Sequence, residues 1–218
     1  MSRSIFKRIL VTSAIAVLGV STSFAALVME RDEGVDTAPS VGMYRYQVPT
    51  ELQGAYNSAS VANLTAAMEK EPNTLSMNVA HVKGNPSESY VVEIYKDLAA
   101  IDAHRKSDHY QAFVNEVGSK LTNRKMYDVQ SVLLFEKKDA LSIVNDGKAI
   151  VTLTEFTVNS NDIDTVQRQY QLDIERAVRD DAGYKAGYVL RERNVKNHWD
   201  VIQIYSDQEA LTKHLNSP

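Results

Sequence analysis

The stretch Val91-Val-Glu-Ile-Tyr-Lys-Asp97 recurs 110 residues later as Val201-Ile-Gln-Ile-Tyr-Ser-Asp207. Seven residues beyond each aspartate stands a histidine, His104 and His214, and at the same offset Ala100 matches Ala210 and Ser107 matches Ser217. Agreement over seventeen positions at one fixed spacing marks an internal duplication. Each copy of the stretch alternates side chains between two faces, as a strand does, and ends on an aspartate that can cap the helix pattern after it.

Reading outward from the first copy, residues 43–48 form a strand pattern, 58–70 an amphipathic helix pattern and 75–82 and 90–95 two further strands. The turn-rich Lys83-Gly-Asn-Pro-Ser87 joins those two strands. A longer helix is expected over 98–121 and a final strand over 126–136. The second copy gives a strand over 150–158, a helix over 162–179, a hairpin of 184–193 with 199–205, and the start of a helix at 208–215. The order β-α-β-β-α-β is the ferredoxin-like plan. The fold class is therefore α+β, with tandem repeats at 43–138 and 149–218, a connector at 139–148, and a second repeat lacking its last strand. A sheet with helices on one face must bury the other. The two sheets are expected to pack on each other, as an intramolecular version of a dimeric α+β barrel. The missing strand would leave an edge open, which favours a homodimer or some other cover.

Alternation separates an aliphatic face (Val92, Ile94, Ile202, Ile204), suited to packing under helices, from a mixed face. The mixed face holds Val91, Glu93 and Tyr95 with Trp199, Val201, Gln203 and Tyr205, and suits either a ligand cavity or an inter-sheet interface. Paired tyrosines, Tyr44 with Tyr46 and Tyr184 with Tyr188, fall on common strand faces.

The N-terminus reads as an address. Arg3, Lys7 and Arg8 precede an apolar run, and Ser23 and Ala25 occupy the −3 and −1 positions of a cleavage site before Ala26. Residues 1–25 are thus expected to be a signal peptide, residues 26–42 a flexible leader, and the mature protein periplasmic or secreted. On this reading the membrane is touched only by the signal. The formal net charge of −4 becomes −7 once residues 1–25 are set aside. An acidic body gives no phosphate-binding surface, so nucleic acid is an unsuitable partner. Cysteine is absent, which excludes disulfides, thiolate metal sites and cysteine nucleophiles. No phosphate loop and no nucleophile elbow occurs.

The run from Tyr90 to Tyr110 resembles the hallmark strand and helix of the antibiotic-biosynthesis monooxygenase family, which includes quinol monooxygenases. The residues that carry the resemblance are Glu93, Tyr95, Asp97, His104, Ser107, His109 and Tyr110. The turn Glu71-Pro-Asn-Thr-Leu75 resembles that family's Glu-Pro-Gly turn, with Asn73 in the glycine place. The resemblance implies oxygenation of a small, electron-rich, quinol-like aromatic with neither metal nor flavin, the deprotonated substrate itself reducing dioxygen. No cofactor or metal is implied. Haem-degrading relatives carry Trp at the place of His104 and a ligating His near Val114, and neither is present.

The base expected for such chemistry is His109, which has no counterpart in the second repeat; the competing reading is a solvent-facing helix residue. Glu93, Tyr95 and Asn78 are expected as polar lining, with His104, Tyr110 and Trp199 also near the substrate. His104 recurs as His214, which also fits an architectural role. On one continuous helix His104 and His109 would stand about 140° apart, too far round to share a site. His81 and His198 receive no role. The other function class open to this sequence is a non-catalytic module for a small molecule or a protein on the same fold.

Overall fold

The structure is a computed structural model that describes residues 7–16, 39–137, 148–195 and 197–217. The first repeat comprises β2 (Ser40–Gln47), α1 (Gln53–Lys70), β3 (Thr74–Val82), β4 (Asn85–Tyr95), α2 (Leu98–Lys106), α3 (Asp108–Glu116), β5 (Thr122–Tyr127) and β6 (Val129–Glu136). The second comprises β7 (Ile150–Thr157), α4 (Ile163–Asp180), β8 (Tyr184–Glu192), β9 (His198–Tyr205) and α5 (Gln208–Leu215). A further strand, β1 (Lys7–Ala16), precedes both. The 110-residue offset holds element by element: α1 with α4, β2 with β7 and β3 with β8 share both boundaries. Asp97 and Asp207 cap as expected, accepting from the backbone N–H of Ala100 and Ala210 at 2.8 Å each. Among the described residues, no helix is long and apolar enough to cross a membrane.

The strands pair antiparallel in the order β5-β2-β4-β3-β1-β7-β9-β8-β6. The two outermost strands are separated only by Asp128, so they are halves of one strand, the first paired with β2 and the second with β8. The ring of strands therefore closes. The final strand of the first repeat starts at Thr122, four residues before its expected start, and bends where it crosses from one repeat to the other.

The edge expected to be open is occupied. Lys7–Thr12 of β1 pair with β7, and Val11–Ala16 pair with β3. This mirrors β5/β6, so the N-terminal strand stands where the second repeat's own fourth strand would. The segment expected to be an export signal thus also has a place in the barrel. The rest of the leader to residue 38, the cleavage site and connector residues 139–147 lie outside the described residues.

The two faces of the sheet are the reverse of the expected arrangement. Val92, Ile94, Ile202 and Ile204 point into the barrel and form one core with Met43, Val151, Leu153 and Tyr188. Val91 and Tyr95 pack instead under the helices, against Tyr56, Leu64 and Ala67. Val201, Trp199 and Tyr205 do the same in the second repeat, against Ile174 and Ala177. The physical reason is that closing a ring of strands brings the inner faces of both repeats together, and their aliphatic side chains, with Tyr90, Tyr127 and Tyr188 among them, bury one another there. Val91 and Tyr95, with Trp199 and Tyr205, are left to pack in the seam between sheet and helix. Tyr184 and Tyr188 are split by a register shift between Tyr184 and Ala186, which turns Tyr184 under the helices and leaves Tyr188 in the barrel.

Candidate functional site

The expected helix over 98–121 is broken. Ser107 has extended backbone, φ −69° and ψ 149°, and serves both as the last cap of α2 and the first cap of α3. Its hydroxyl donates to the His104 carbonyl at 2.7 Å and accepts from the Tyr110 N–H at 3.3 Å. The break removes the angular separation that a continuous helix would impose. The rings of His104 and His109 come within 5.5 Å of each other, and both reach the same carboxylate.

That carboxylate is Glu71, at the end of α1. His104 Nδ1 lies 3.0 Å from Glu71 Oε2, and His109 Nε2 lies 3.0 Å from Oε1. The Thr74 hydroxyl adds a third donor to Oε2 at 2.6 Å. His109 Nδ1 bonds Asn63 Oδ1 at 2.8 Å, so both nitrogens of His109 are engaged. Because a carboxylate only accepts, His104 carries its proton on Nδ1. Its Nε2 is left with a lone pair, buried and, among the described residues, without a hydrogen-bond partner. His104 is 1% exposed, and burial holds it below the ordinary imidazole pKa, partly offset by Glu71. It is therefore neutral at neutral pH.

A cavity lies between the first repeat's sheet and its helices. His104, Tyr95, Glu93, Tyr110, Tyr44 and Asn63 form part of its wall, with Arg105 and Arg124 beside them. The Tyr95 hydroxyl donates to Glu93 Oε2 at 3.1 Å. Burial pushes Glu93 up to about 7, with Tyr95, Arg105 and Arg124 pulling the other way. Tyr44 and Tyr46 stack at 6.2 Å, and the Arg124 guanidinium lies 5.4 Å from the centre of the Tyr44 ring. About 40 Å³ is open to the centre of a water molecule, which is room for about three waters. An aromatic ring needs side chains at the rim to move.

Of the residues singled out in the sequence, Glu93, Tyr95, His104 and Tyr110 come together on this wall. His109 sits behind His104 against Glu71 and does not line the cavity. Asn78 lies on β3 bonded to Ser76 Oγ at 3.1 Å, on the face that looks into the barrel. Trp199 is fully buried in the second repeat's core. Trp199 shares the face of Glu93 and Tyr95, but in the second repeat that face lies under that repeat's own helices, away from the cavity. Sequence reasoning missed Glu71 and Asn63 as partners of the histidines. The signal for Glu71 was available, because Asp181 occupies the same place 110 residues on and His214 Nδ1 lies 2.9 Å from it.

The family profile for antibiotic biosynthesis monooxygenases matches residues 41–116 and again 149–218, most of the chain. The chain belongs to the antibiotic biosynthesis monooxygenase family. The first match runs from β2 to the end of α3 and the second covers β7 to α5, one match in each repeat, so the protein is a tandem member of that family. A candidate monooxygenase from Lactobacillus acidophilus NCFM has the same fold, with TM-score 0.72 and 18% identity over 83% of each chain. One from Fusobacterium nucleatum subsp. nucleatum has TM-score 0.70 and 21% identity over 84% of this chain and 82% of its own. No curated protein matches.

The family's two copies are not equivalent here. Tyr184, which stands where the first repeat has Thr74, has its ring 5.2 Å from both Tyr205 and His214. Its hydroxyl accepts from Gln203 Nε2 at 3.3 Å and lies within contact of Gly187. Gln203, Tyr205 and His214 are the counterparts of Glu93, Tyr95 and His104. One tyrosine thus occupies the space that the first repeat leaves as a cavity.

Proposed function

We propose that the first repeat is an oxygenase site for a small, electron-rich phenol or quinol, with His104 as its base. One observation carries this reading: His104 lines the cavity, its buried Nε2 has no hydrogen-bond partner among the described residues, and Glu71 fixes Nδ1 as the protonated nitrogen. Such an atom is suited to taking a proton from a bound hydroxyl, and the Glu71 carboxylate then stabilises the imidazolium that forms. His109 is a positioning residue that holds Glu71 from the far side. Arg105 and Arg124 set positive charge beside the phenolate, and Glu93 can hold or give a proton near neutral pH. The reaction balances without an outside reductant: a hydroquinone and dioxygen give a hydroxylated quinone and water.

The small free space supports a second reading, a non-catalytic binding module on the same fold. Oxygen uptake with a panel of quinols tests both. Turnover by the wild type that is lost in His104→Ala and kept, at reduced rate, in His109→Ala supports the oxygenase. Turnover that survives His104→Ala removes this base, and no uptake on any quinol favours the binding module.

We further propose that the N-terminus directs export, on the basis of its basic start, apolar run and small-residue cleavage pattern. Cleavage before Ala26 would remove β1, so export with cleavage and completion of the barrel by β1 exclude each other in one molecule. N-terminal sequencing of the protein recovered from cells distinguishes them.

A further inference from the structure

We infer that Glu155, His198 and Asp200 form a binding site for a divalent cation of the zinc class at one end of the barrel. Glu155 on β7 and Asp200 on β9 are directly paired across the strands, and His198 stands two residues before Asp200, on the same face. That face continues into Leu153 and Ile202 and looks into the barrel. One ligand atom from each of the three residues lies within 4.8 Å of the other two. Two carboxylates directly opposite each other repel unless a cation lies with them.

Asp200 makes the need for a cation specific. It is 0% exposed, and among the described residues neither of its carboxylate oxygens has a hydrogen-bond partner. A buried carboxylate is ordinarily paired, hydrogen-bonded or bound to a metal. Burial, with Glu155 adding to it, pushes Asp200 up to about 6, while His198 and Lys125 pull it down.

The first repeat shows how the same positions are satisfied without an ion. At the 110-residue offset, Glu155, His198 and Asp200 correspond to Arg45, Glu88 and Tyr90. Arg45 Nη1 lies 3.6 Å from Glu88 Oε1, so that trio contains its own cation, anion and neutral hydroxyl. The second repeat replaces the cation by an acid, the acid by a histidine and the neutral tyrosine by a second acid. The guanidinium that the first repeat builds into its trio has no counterpart among these three residues. Two carboxylate oxygens and one imidazole match zinc or its neighbours. Calcium requires six to eight oxygens, and magnesium near-octahedral oxygen coordination.

The test is titration of metal-stripped full-length protein with ZnCl2, with bound zinc counted by elemental analysis. One zinc per chain is expected, with at least tenfold weaker binding in Glu155→Gln and His198→Gln and none in Asp200→Asn. His109→Ala is expected to bind as the wild type does, because the Glu71 cluster is separate. Asp200→Asn removes a buried charge and is expected to fold, as read by circular dichroism; if it does not, the other two variants decide. Lys7 is the backbone partner of Glu155 on β1, so Lys7→Met is included. No stoichiometric zinc in the wild type, or a lowered melting temperature in Lys7→Met with no zinc bound, overturns the proposal. So does zinc binding lost in His109→Ala but kept in Asp200→Asn.

Discussion

His104 Nδ1 meets the Glu71 carboxylate at 3.0 Å across 33 residues of chain, joining the end of α1 to α2. His214 and Asp181 make the same join in the second repeat, at 2.9 Å and the same separation. A pair that persists where the cavity is filled has a structural role, and among the described residues the first repeat adds to it a cavity that the histidine lines and a buried Nε2 with no partner. Glu71→Gln and Asp181→Asn should therefore both destabilise the protein. The expected loss is about 1–3 kcal/mol each, because a buried ring N–H loses its charged acceptor. Urea denaturation measures this. Glu71→Gln should be the worse of the two, since three donors converge on Glu71. Only Glu71→Gln should also lower oxygen uptake.

The pH profile of turnover follows from the lowered pKa of His104. The base works only when neutral, so activity should hold from neutral pH down through the ordinary histidine range near 6.5 and fall only below it. The same shift has a stability sign. Between 6.5 and the lower folded value the unfolded chain binds a proton that the folded one does not, so this contribution is present above 6.5 and lost as pH falls. A rate profile with its acid limb at or above 6.5 would show that another group is the base.

Glu93 has the opposite sign. Its pKa rises from 4.5 to about 7 on folding. Between those values the folded protein keeps a proton that the unfolded chain has released, so stability falls as pH rises through the window. The upper bound is about 3 kcal/mol at 1.36 kcal/mol per pKa unit. Glu93→Gln cannot ionise and still accepts from Tyr95. It should match the wild type at pH 5 and exceed it at pH 8.5 in urea midpoint. Equal midpoints at pH 8.5 would mean that Glu93 is charged at little cost.

Much of this site was legible because the duplication made the sequence its own comparison. The 110-residue offset is enough by itself to place the strands, the Asp97 and Asp207 caps and the His104–His214 correspondence. Three things were not legible, each for a physical reason. Face assignment failed because alternation tells which residues share a face but not which face the helices cover. The break at Ser107 was hidden because the pattern on either side stays helical, and a serine can cap as readily as it can continue a helix. The Glu71 carboxylate was missed as a partner because a turn residue acquires its contacts only when α1 and α2 are brought together.

The asymmetry between repeats can be tested by emptying the second one. Tyr184 fills the space between Gln203, Tyr205 and His214. Tyr184→Thr installs the residue that the first repeat has at that place. It should cost about 3–5 kcal/mol, the range for truncating a large buried aromatic. It should also leave a cavity able to bind a small aromatic, read as a rise in melting temperature when phenol is added. A variant with unchanged stability and no response to phenol would show that neighbouring side chains collapse into the space.

The first half of β1 pairs with β7 and its second half with β3, bridging the two repeats as β5 and β6 do on the other side. Removing residues 1–25 would break the ring at one place and leave two strand edges with unpaired N–H and C=O groups. Water satisfies such groups in a monomer, so the chain need not unfold, but each open edge is a template for pairing with another chain. A protein beginning at Ala26 should therefore melt lower than the full chain, exchange its β3 and β7 amides faster, and self-associate as concentration rises. Analytical ultracentrifugation and hydrogen exchange measure the last two. A truncated protein that stays monomeric, with β3 and β7 amides as protected as in the full chain, would mean that another segment takes the place of β1. Dimerisation that restores that protection would mean that a second copy completes the barrel.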